Sequence, residues 1–198
     1  MRIFLAGAGG VIGVRLVPLL REAGHEVVGM THSPDKLGLL RGLDAEPVLC
    51  DVFDADSVGR AVSAASVEMV MHQLTDLPDG VDQLPTYRER NNRMRTEGTR
   101  NLIEAARVAG VRRFIAQSIS WEPPGGAEAV QEHERMVLDF GGVVLRYGQL
   151  YGPGTYYEEE PPEPPRIHVD EAARRTVELL DAGSGAIVVT EPDEAPIP

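Results

Sequence analysis

The sequence predicts an α/β fold, a doubly wound parallel sheet covered by helices on both faces. Short apolar runs of four to six residues alternate with longer segments whose apolar residues recur at helical spacing. The first apolar run leads at once into a glycine-rich turn and then a helix. The 198 residues, 42% of them hydrophobic, are enough to bury the core of one such domain without disulfides or metals.

Seven apolar segments are predicted to be strands, because each is short and bounded by turn residues. They are residues 2–6, 26–31, 46–50, 67–72, 113–117, 142–146 and 186–190. Helical periodicity predicts the segments between them to be helices, at 11–23, from Pro34 onward, at 54–65, about 90–109, 127–139 and 170–180. Strands joined through helices in this order run parallel, with right-handed crossovers.

Residues 156–166 break this alternation. They hold four prolines and four glutamates and show no apolar periodicity, which predicts an extended linker. A mobile lid over a site is the alternative interpretation.

The charge balance and the single cysteine exclude several classes of protein. Acidic residues outnumber basic ones by 31 to 19, which argues against nucleic-acid binding, and the basic run 88–100 is diluted by Glu89 and Glu97. Cys50 ends an apolar run and is expected to be a buried, inert thiol, so no disulfide or cysteine zinc site is expected. No apolar run approaches 18 residues, and no metal-ligand spacing is present. We therefore expect a soluble, cytoplasmic protein without a metal, a nucleic-acid partner or a membrane partner.

The glycine-rich turn is the strongest chemical signal. It comprises Gly7, Ala8, Gly9, Gly10, Val11, Ile12 and Gly13. Glycines allow backbone N–H groups to approach a pyrophosphate, and the positive end of the following helix favours its charge. The order of strand, turn and helix predicts a Rossmann-type dinucleotide site. A related turn that has lost its ligand is the alternative.

The end of the second strand bears on the choice between NAD and NADP. An acidic residue there would bind the ribose hydroxyl of NAD, whereas a cation would favour the NADP phosphate. The chain offers Thr31, His32 and Ser33, with no carboxylate before Asp35. This pattern leans slightly to NADP over NAD, with His32, Ser33 and Lys36 near the phosphate.

Several segments together resemble the extended short-chain dehydrogenase/reductase superfamily, in its NAD-dependent epimerase/dehydratase branch. They occur in family order over about 1–155 and again from 166 onward. The segments are 6–13, close to the family's TGxxGxxG loop, then 50–52, 97–106, 111–118, 145–154, which includes Tyr-Gly-Pro-Gly, and 168–172.

The resemblance implies a division of the chain and a set of roles. Residues 1–155 would be the dinucleotide-binding domain, 156–166 the linker, and 167–198 a remnant of the substrate-binding part packed on the same domain. It further implies a homodimer formed through the helices at 90–109 and 127–139. The implied contacts are Asp51 and Val52 beside the adenine, His72, Gln73 and Leu74 along the cofactor cleft, and Ser118 at the substrate.

Two departures from the family matter for chemistry. The family's Tyr-x-x-x-Lys pair is absent, because Lys36 is the single lysine and no tyrosine precedes it by four residues. Gly126 and Val130 stand where the pair would be expected. The substrate-binding part is also cut down, so an open or rebuilt substrate site is expected. The candidates to replace the pair are Ser118, His133 as an acid or base, and Tyr147; a solvated helix face around His133 and core packing of Tyr147 are the alternatives.

Three functions remain open from the sequence. The first is an atypical NAD(P)-dependent enzyme of epimerase/dehydratase type that acts on a small hydroxy or keto substrate by hydride transfer. The second is non-redox chemistry on the same fold, as an isomerase, dehydratase or cyclase. The third is a binding module that senses the cofactor without turnover.

Overall fold

A computed structural model describes residues 1–78 and 80–192, apart from the side chain of Val81. It contains nine strands: β1 Arg2–Ala6, β2 Glu26–Thr31, β3 Glu46–Leu49, β4 Met69–His72, β5 Arg113–Ile119, β6 Val143–Tyr147, β7 Gln149–Tyr151, β8 Arg166–His168 and β9 Gly185–Val189. Seven form one parallel sheet in the order β3-β2-β1-β4-β5-β6-β9. The predicted doubly wound Rossmann-type fold is thus confirmed. The strand order reverses between β1 and β4, where such sheets open a crevice for ligands.

The described residues form seven α-helices: α1 Gly13–Glu22, α2 Leu37–Gly42, α3 Ala55–Ala65, α4 Leu84–Arg93, α5 Thr99–Val108, α6 Ala127–Asp139 and α7 Val169–Glu178. Helices α1, α2 and α7 share one core with the sheet, and α3, α5 and α6 share the other. A π-helical turn, Met94–Gly98, joins α4 to α5. The long helix therefore begins at Leu84 rather than near residue 90. Helix α4 buries only Asn91 of its own residues, so apolar periodicity could not reveal it.

The segment 156–166 is tied to the fold. The Tyr156 hydroxyl donates to the Pro78 carbonyl, and the Gln149 amide donates to the Pro165 carbonyl at 2.8 Å. The return of the chain across this segment creates the two-stranded sheet β7–β8, which the sequence did not predict because three residues give no measurable alternation. Beyond it, the C-terminal part supplies α7 and β9, and β9 pairs with β6. The division into domains stays a prediction, and its last six residues, 193–198, lie outside the described part.

Two smaller expectations can be compared with the structure. Cys50 is buried and free, as predicted, and burial raises the pKa of its thiol. None of the helices in the described ranges is long and apolar enough to cross a bilayer.

Candidate active site

Two glycines of the turn, Gly7 and Gly13, pack so tightly that they have no room for a side chain. A Cβ on Gly13 would lie 2.2 Å from the Gly7 carbonyl oxygen, and one on Gly7 would lie 2.7 Å from the Gln73 carbonyl oxygen. Gly7 also has a φ of +90°, a conformation that favours glycine. The turn thereby brings the end of β1 against the residues that follow β4.

The turn leaves the N-terminus of α1 open to an anion. Ile12 is the N-cap and is buried, no side chain caps the helix, and its first turn holds no acidic residue. Helix N-termini with free N–H groups and no neighbouring carboxylate favour phosphate. A closely packed glycine turn with an uncapped helix end fits the pyrophosphate of a dinucleotide. Val11 is 40% exposed at the rim of this turn.

Lys36 reaches across the glycine turn from the segment after β2. Its ammonium group donates to the Gly9 carbonyl at 2.7 Å, and its aliphatic stem covers Gly9. His32 is exposed, whereas Thr31 is buried and its hydroxyl accepts from the Ser33 amide. The structure therefore places the single lysine beside the glycine turn.

The end of β3 continues the cleft. Asp51 is exposed and its carboxylate accepts from the Phe53 amide at 2.9 Å. Val52 is buried, and its carbonyl accepts from the Asn101 side-chain amide at 2.9 Å. The Arg93 guanidinium stacks over the Phe53 ring at 3.9 Å. These contacts hold the loop to which the family resemblance assigns the adenine.

A buried chain of hydrogen bonds links the ends of β4 and β5. The Leu74 amide donates to Nδ1 of His72 at 3.2 Å, and Nε2 of His72 lies 3.0 Å from the Thr99 hydroxyl. That hydroxyl lies 2.7 Å from Nδ1 of His133, whose Nε2 donates to the Gln117 carbonyl at 2.8 Å. We call Leu74, His72, Thr99, His133 and Gln117 the histidine relay.

The direction of every proton in the histidine relay follows from its two ends. An amide N–H can only donate and a carbonyl can only accept, so His72 accepts at Nδ1 and His133 donates at Nε2. With both rings neutral, the His72 Nε2–H donates to Thr99 and the Thr99 hydroxyl donates to His133. Both rings are buried, and both histidines use both ring nitrogens. This placement favours a positioning role for His133, which holds the Leu74 loop against β5.

Protonation should break the histidine relay, so we expect stability to fall in acid. Burial lowers the pKa of both histidines, that of His72 well below its usual value. Below about pH 6.5, the ordinary histidine pKa in the unfolded chain, the unfolded state therefore binds more protons than the folded state. The stability that the two histidines contribute is fully present above that pH and is lost as the pH falls below it. Each histidine contributes a slope of at most about 1.4 kcal/mol per pH unit.

Urea unfolding between pH 7.5 and pH 5 tests this expectation. His133→Gln, which cannot titrate, should give a shallower pH dependence than the wild type. His32→Gln, which removes an exposed imidazole outside the histidine relay, serves as the matched control. Parallel profiles for the wild type and His133→Gln would contradict the assignment of neutral rings.

Ser118 belongs to an ion-pair cluster with Glu134 and Arg146. Its hydroxyl donates to Glu134 Oε1 at 2.6 Å, and Arg146 binds both oxygens of the same carboxylate, at 2.9 Å and 2.5 Å. Burial raises the pKa of Glu134, but the hydrogen bonds from Arg146 and Ser118 outweigh it, so the net pKa is lowered. The Ser118 proton is committed to a carboxylate, which leaves its oxygen as an acceptor.

Tyr147 lies inside the domain. It is 2% exposed, and its hydroxyl lies 2.6 Å from Thr176, whose own proton goes to the Ala172 carbonyl at 2.7 Å. Burial raises the pKa of Tyr147 to about 12. The Gln73 side chain is also buried here, donates to Tyr147 at 3.4 Å, and leaves its amide oxygen without a partner among the described residues. A phenol in these surroundings keeps its proton at neutral pH.

The position of the missing Tyr-x-x-x-Lys pair contains no replacement. Gly126 precedes α6 as its N-cap, and Val130 is buried on the inner face of that helix. Within residues 1–78 and 80–192, no group of three His, Cys, Asp or Glu side chains could hold a metal ion. The strand ends therefore combine a glycine turn whose geometry fits a dinucleotide with a set of candidate catalytic side chains that lacks a poised proton donor.

The comparisons with known proteins agree with this geometry. A family model described as NAD(P)H-binding matches residues 7–133, more than half of the chain. The chain belongs to this NAD(P)H-binding family. The chain is 37% identical to 3-diazoavenalumate denitrifying reductase from a Streptomyces species over 241 aligned residues. The alignment covers 99% of the chain and 78% of that relative. The chain is also 31% identical over 152 residues to a 3-beta-hydroxysteroid dehydrogenase of Mycolicibacterium neoaurum, covering 76% of the chain and 39% of that relative.

Solved structures share the fold of this family member. UDP-glucose 4-epimerase of Thermus thermophilus, in complex with NAD, superposes with a TM-score of 0.78 at 20% identity, over 96% of the chain and 78% of the epimerase. A putative NAD-dependent epimerase/dehydratase from Bacillus halodurans gives 0.75 at 21% identity, over 94% and 91%. The resemblance to the epimerase/dehydratase branch is thus confirmed for the fold.

Some residues of the site escaped prediction. Thr99 was named only as part of a matching segment, although it joins the two histidines, and Arg146 was not considered as the partner of Glu134. No sequence signal separates these residues from their neighbours, because their partners lie 12 to 34 positions away along the chain.

Proposed function

We propose that this family member is an NAD(P)H-dependent reductase whose substrate accepts a hydride without needing a proton from the enzyme. The carrying observation is the state of the three candidate catalytic side chains, of which His133 and Tyr147 are the candidate acids. Ser118 donates to Glu134, His133 has both ring nitrogens engaged, and Tyr147 is buried with its pKa raised to about 12. Reduction of a ketone would need one of them to protonate an alkoxide.

The name of the relative that spans 99% of the chain supports this proposal, since that relative is a denitrifying reductase of a diazo compound. When bound, the reduced nicotinamide supplies a hydride. An arenediazonium ion that gains a hydride and loses dinitrogen becomes an arene, and this reaction consumes no proton. The chain would then contribute binding, orientation and exclusion of water, which can be worth about 7–11 kcal/mol in ideal cases.

Isomerisation, dehydration or cyclisation receives less support from the same residues. Each of these reactions moves a proton at carbon or oxygen and requires a group with a pKa near neutrality. The histidine relay and the Ser118 cluster offer no free position for such a transfer.

Hydride transfer can be tested with NADPH deuterated at the reactive carbon and 4-carboxybenzenediazonium as the probe. We expect oxidation of NADPH, release of dinitrogen, and formation of benzoate that carries deuterium at the carbon from which dinitrogen left. Each of the three should be faster than in a control without protein. If the substrate is converted but the product carries no deuterium and NADPH is not consumed, the result would support non-redox chemistry. Binding of NADPH, followed through the emission of the single tryptophan, Trp121, without any conversion would support the sensing module.

For the cofactor, we propose NADPH rather than NADH, supported by Lys36 over the glycine turn and by the missing carboxylate after β2. Lys36→Met should weaken NADPH binding by about tenfold, the loss of one charge-assisted contact, and NADH binding much less. Arg41→Met removes an exposed charge from the neighbouring α2 and should change neither affinity. Equal losses for both cofactors would contradict a contact with the 2′-phosphate.

A homodimer and a cytoplasmic location stay predictions. The exposed Val108 and Leu138, near the ends of α5 and α6, support an interface on the predicted helices. Sedimentation at micromolar concentration should show a dimer, and a monomer alone would contradict it.

A further inference from the structure

Arg95 is a partly buried cation without an acidic partner. It lies in the π-helical turn between α4 and α5. In the described ranges, no carboxylate comes within ion-pair distance of its guanidinium. Three arginines of the same continuous helix do have partners: Arg90 with Asp76 at 3.0 Å, Arg93 with Glu97 at 2.6 Å, and Arg100 with Glu132 at 2.9 Å.

Leaving such a charge unpaired has a cost. Removal from water disfavours an ion unless a partner replaces the lost hydration. Burial lowers the pKa of Arg95, and no acidic group offsets this effect. The chain carries 31 acidic residues against 19 basic ones, so carboxylates are not scarce. An arginine kept unpaired under these conditions points to a partner from outside the chain.

The position of Arg95 in its helix relates it to the histidine relay. It precedes Thr99 by four residues, about one helical turn, and the Thr99 hydroxyl lies 2.7 Å from Nδ1 of His133. The charge of Arg95 acts on His133, whose pKa is lowered first by burial and further by this charge. His133 in turn contacts the Gln117 carbonyl, next to Ser118 at the end of β5. Lys36 lies by contrast beside the glycine turn, which follows β1. In the sheet order, β1 is two positions from β5. The π-helical turn itself is a rare feature that occurs frequently at functional sites.

We propose that Arg95 forms an anion subsite that binds a carboxylate group of the substrate. The planar fork of a guanidinium matches the two oxygens of one carboxylate, and the buried position strengthens the pair. The neutral rings of the histidine relay beside it leave this charge uncompensated until substrate binds. The inference rests on the proposed function in taking this cleft as the substrate site, and it names the substrate class as organic acids.

Binding of matched acids and amides tests the subsite directly. Benzoate and cinnamate, with benzamide and cinnamide as neutral counterparts, are titrated by calorimetry into the protein with and without NADP⁺. We expect the wild type to prefer the acids. Arg95→Met should weaken acid binding by about 10- to 100-fold, the loss of a charged hydrogen-bond pair, and leave amide binding unchanged. Arg100→Met, which removes an exposed charge from the same helix, should behave as the wild type.

Thermal unfolding separates binding from a structural role. Because Arg95 has no acidic partner within the described ranges, Arg95→Met should be at least as stable as the wild type, whereas a structural arginine would leave the variant less stable. Arg95→Lys keeps the charge without the fork and should show intermediate affinity. A wild type that binds acids no better than amides, or an Arg95→Met variant that keeps the preference, would overturn the subsite. If acids bind but NADPH does not, the reductase proposal fails while the subsite stands.

Discussion

Replacing Gly13 by alanine is expected to abolish measurable cofactor binding and to destabilise the fold. The added Cβ would meet the Gly7 carbonyl oxygen at 2.2 Å and the Ala8 carbonyl oxygen at 2.6 Å. Both contacts are with backbone, which cannot rotate away as a side chain would. The turn would have to open, at a cost of about 1–3 kcal/mol or more, and the N–H groups that form the phosphate cradle would move with it.

Gly59→Ala provides the matched control for this substitution. Gly59 lies inside α3, and a Cβ added there would have no neighbouring atom within 4 Å. Alanine there should stabilise the protein by about 0.5–1 kcal/mol, because it lowers the backbone entropy of the unfolded chain. Urea unfolding and titration with NADPH measure both variants. Unchanged NADPH affinity in Gly13→Ala would show that the glycine turn does not hold the cofactor.

Arg146→Met should have the second large effect, because it leaves the Glu134 carboxylate buried without its cation. Glu134 is 7% exposed, and Ser118 alone would remain as its donor. Breaking a fully buried pair costs about 3–5 kcal/mol, but the Arg146 side chain is 42% exposed, so a loss of about 2 kcal/mol at pH 7 is expected. Cofactor affinity should change little, since the pair lies on β6 and α6.

The pH dependence of this variant has a definite sign. In the wild type the folded pKa of Glu134 is lowered, so its stabilisation is present above the unfolded pKa and is lost as pH falls through the folded value. Without Arg146, burial raises that pKa, and the penalty disappears when Glu134 takes up a proton in acid. The stability difference between the two proteins should therefore shrink from pH 7 towards pH 4.

A double-mutant cycle checks the physical reason. Arg146→Met combined with Glu134→Leu removes both charges and should recover much of the lost stability. A double variant as unstable as Arg146→Met would mean that the guanidinium stem, and not the charge pair, supports β6.

The sequence alone determined the fold and the glycine turn between β1 and α1, because both depend on local pattern. The strands at 2–6 and 26–31 and the helix at 127–139 were predicted with the bounds that the structure has. The periodicity of apolar residues and the succession of strand, glycine-rich turn and helix are properties of residues close together in the chain. They can therefore be recognised without coordinates. The glycine turn belongs to this class, since the order of strand, turn and helix is a local feature of the sequence.

Only the tertiary structure decided the chemistry on the substrate side. The sequence offered Ser118 to orient a carbonyl and His133 or Tyr147 as a substitute acid. The fold gave each a partner: Glu134, the histidine relay and Thr176. Arg95 could not be distinguished from Arg90, Arg93 and Arg100 of its helix until their carboxylate partners were placed. The physical reason is that protonation, burial and charge pairing depend on contacts between residues far apart in the chain, and no local pattern encodes them.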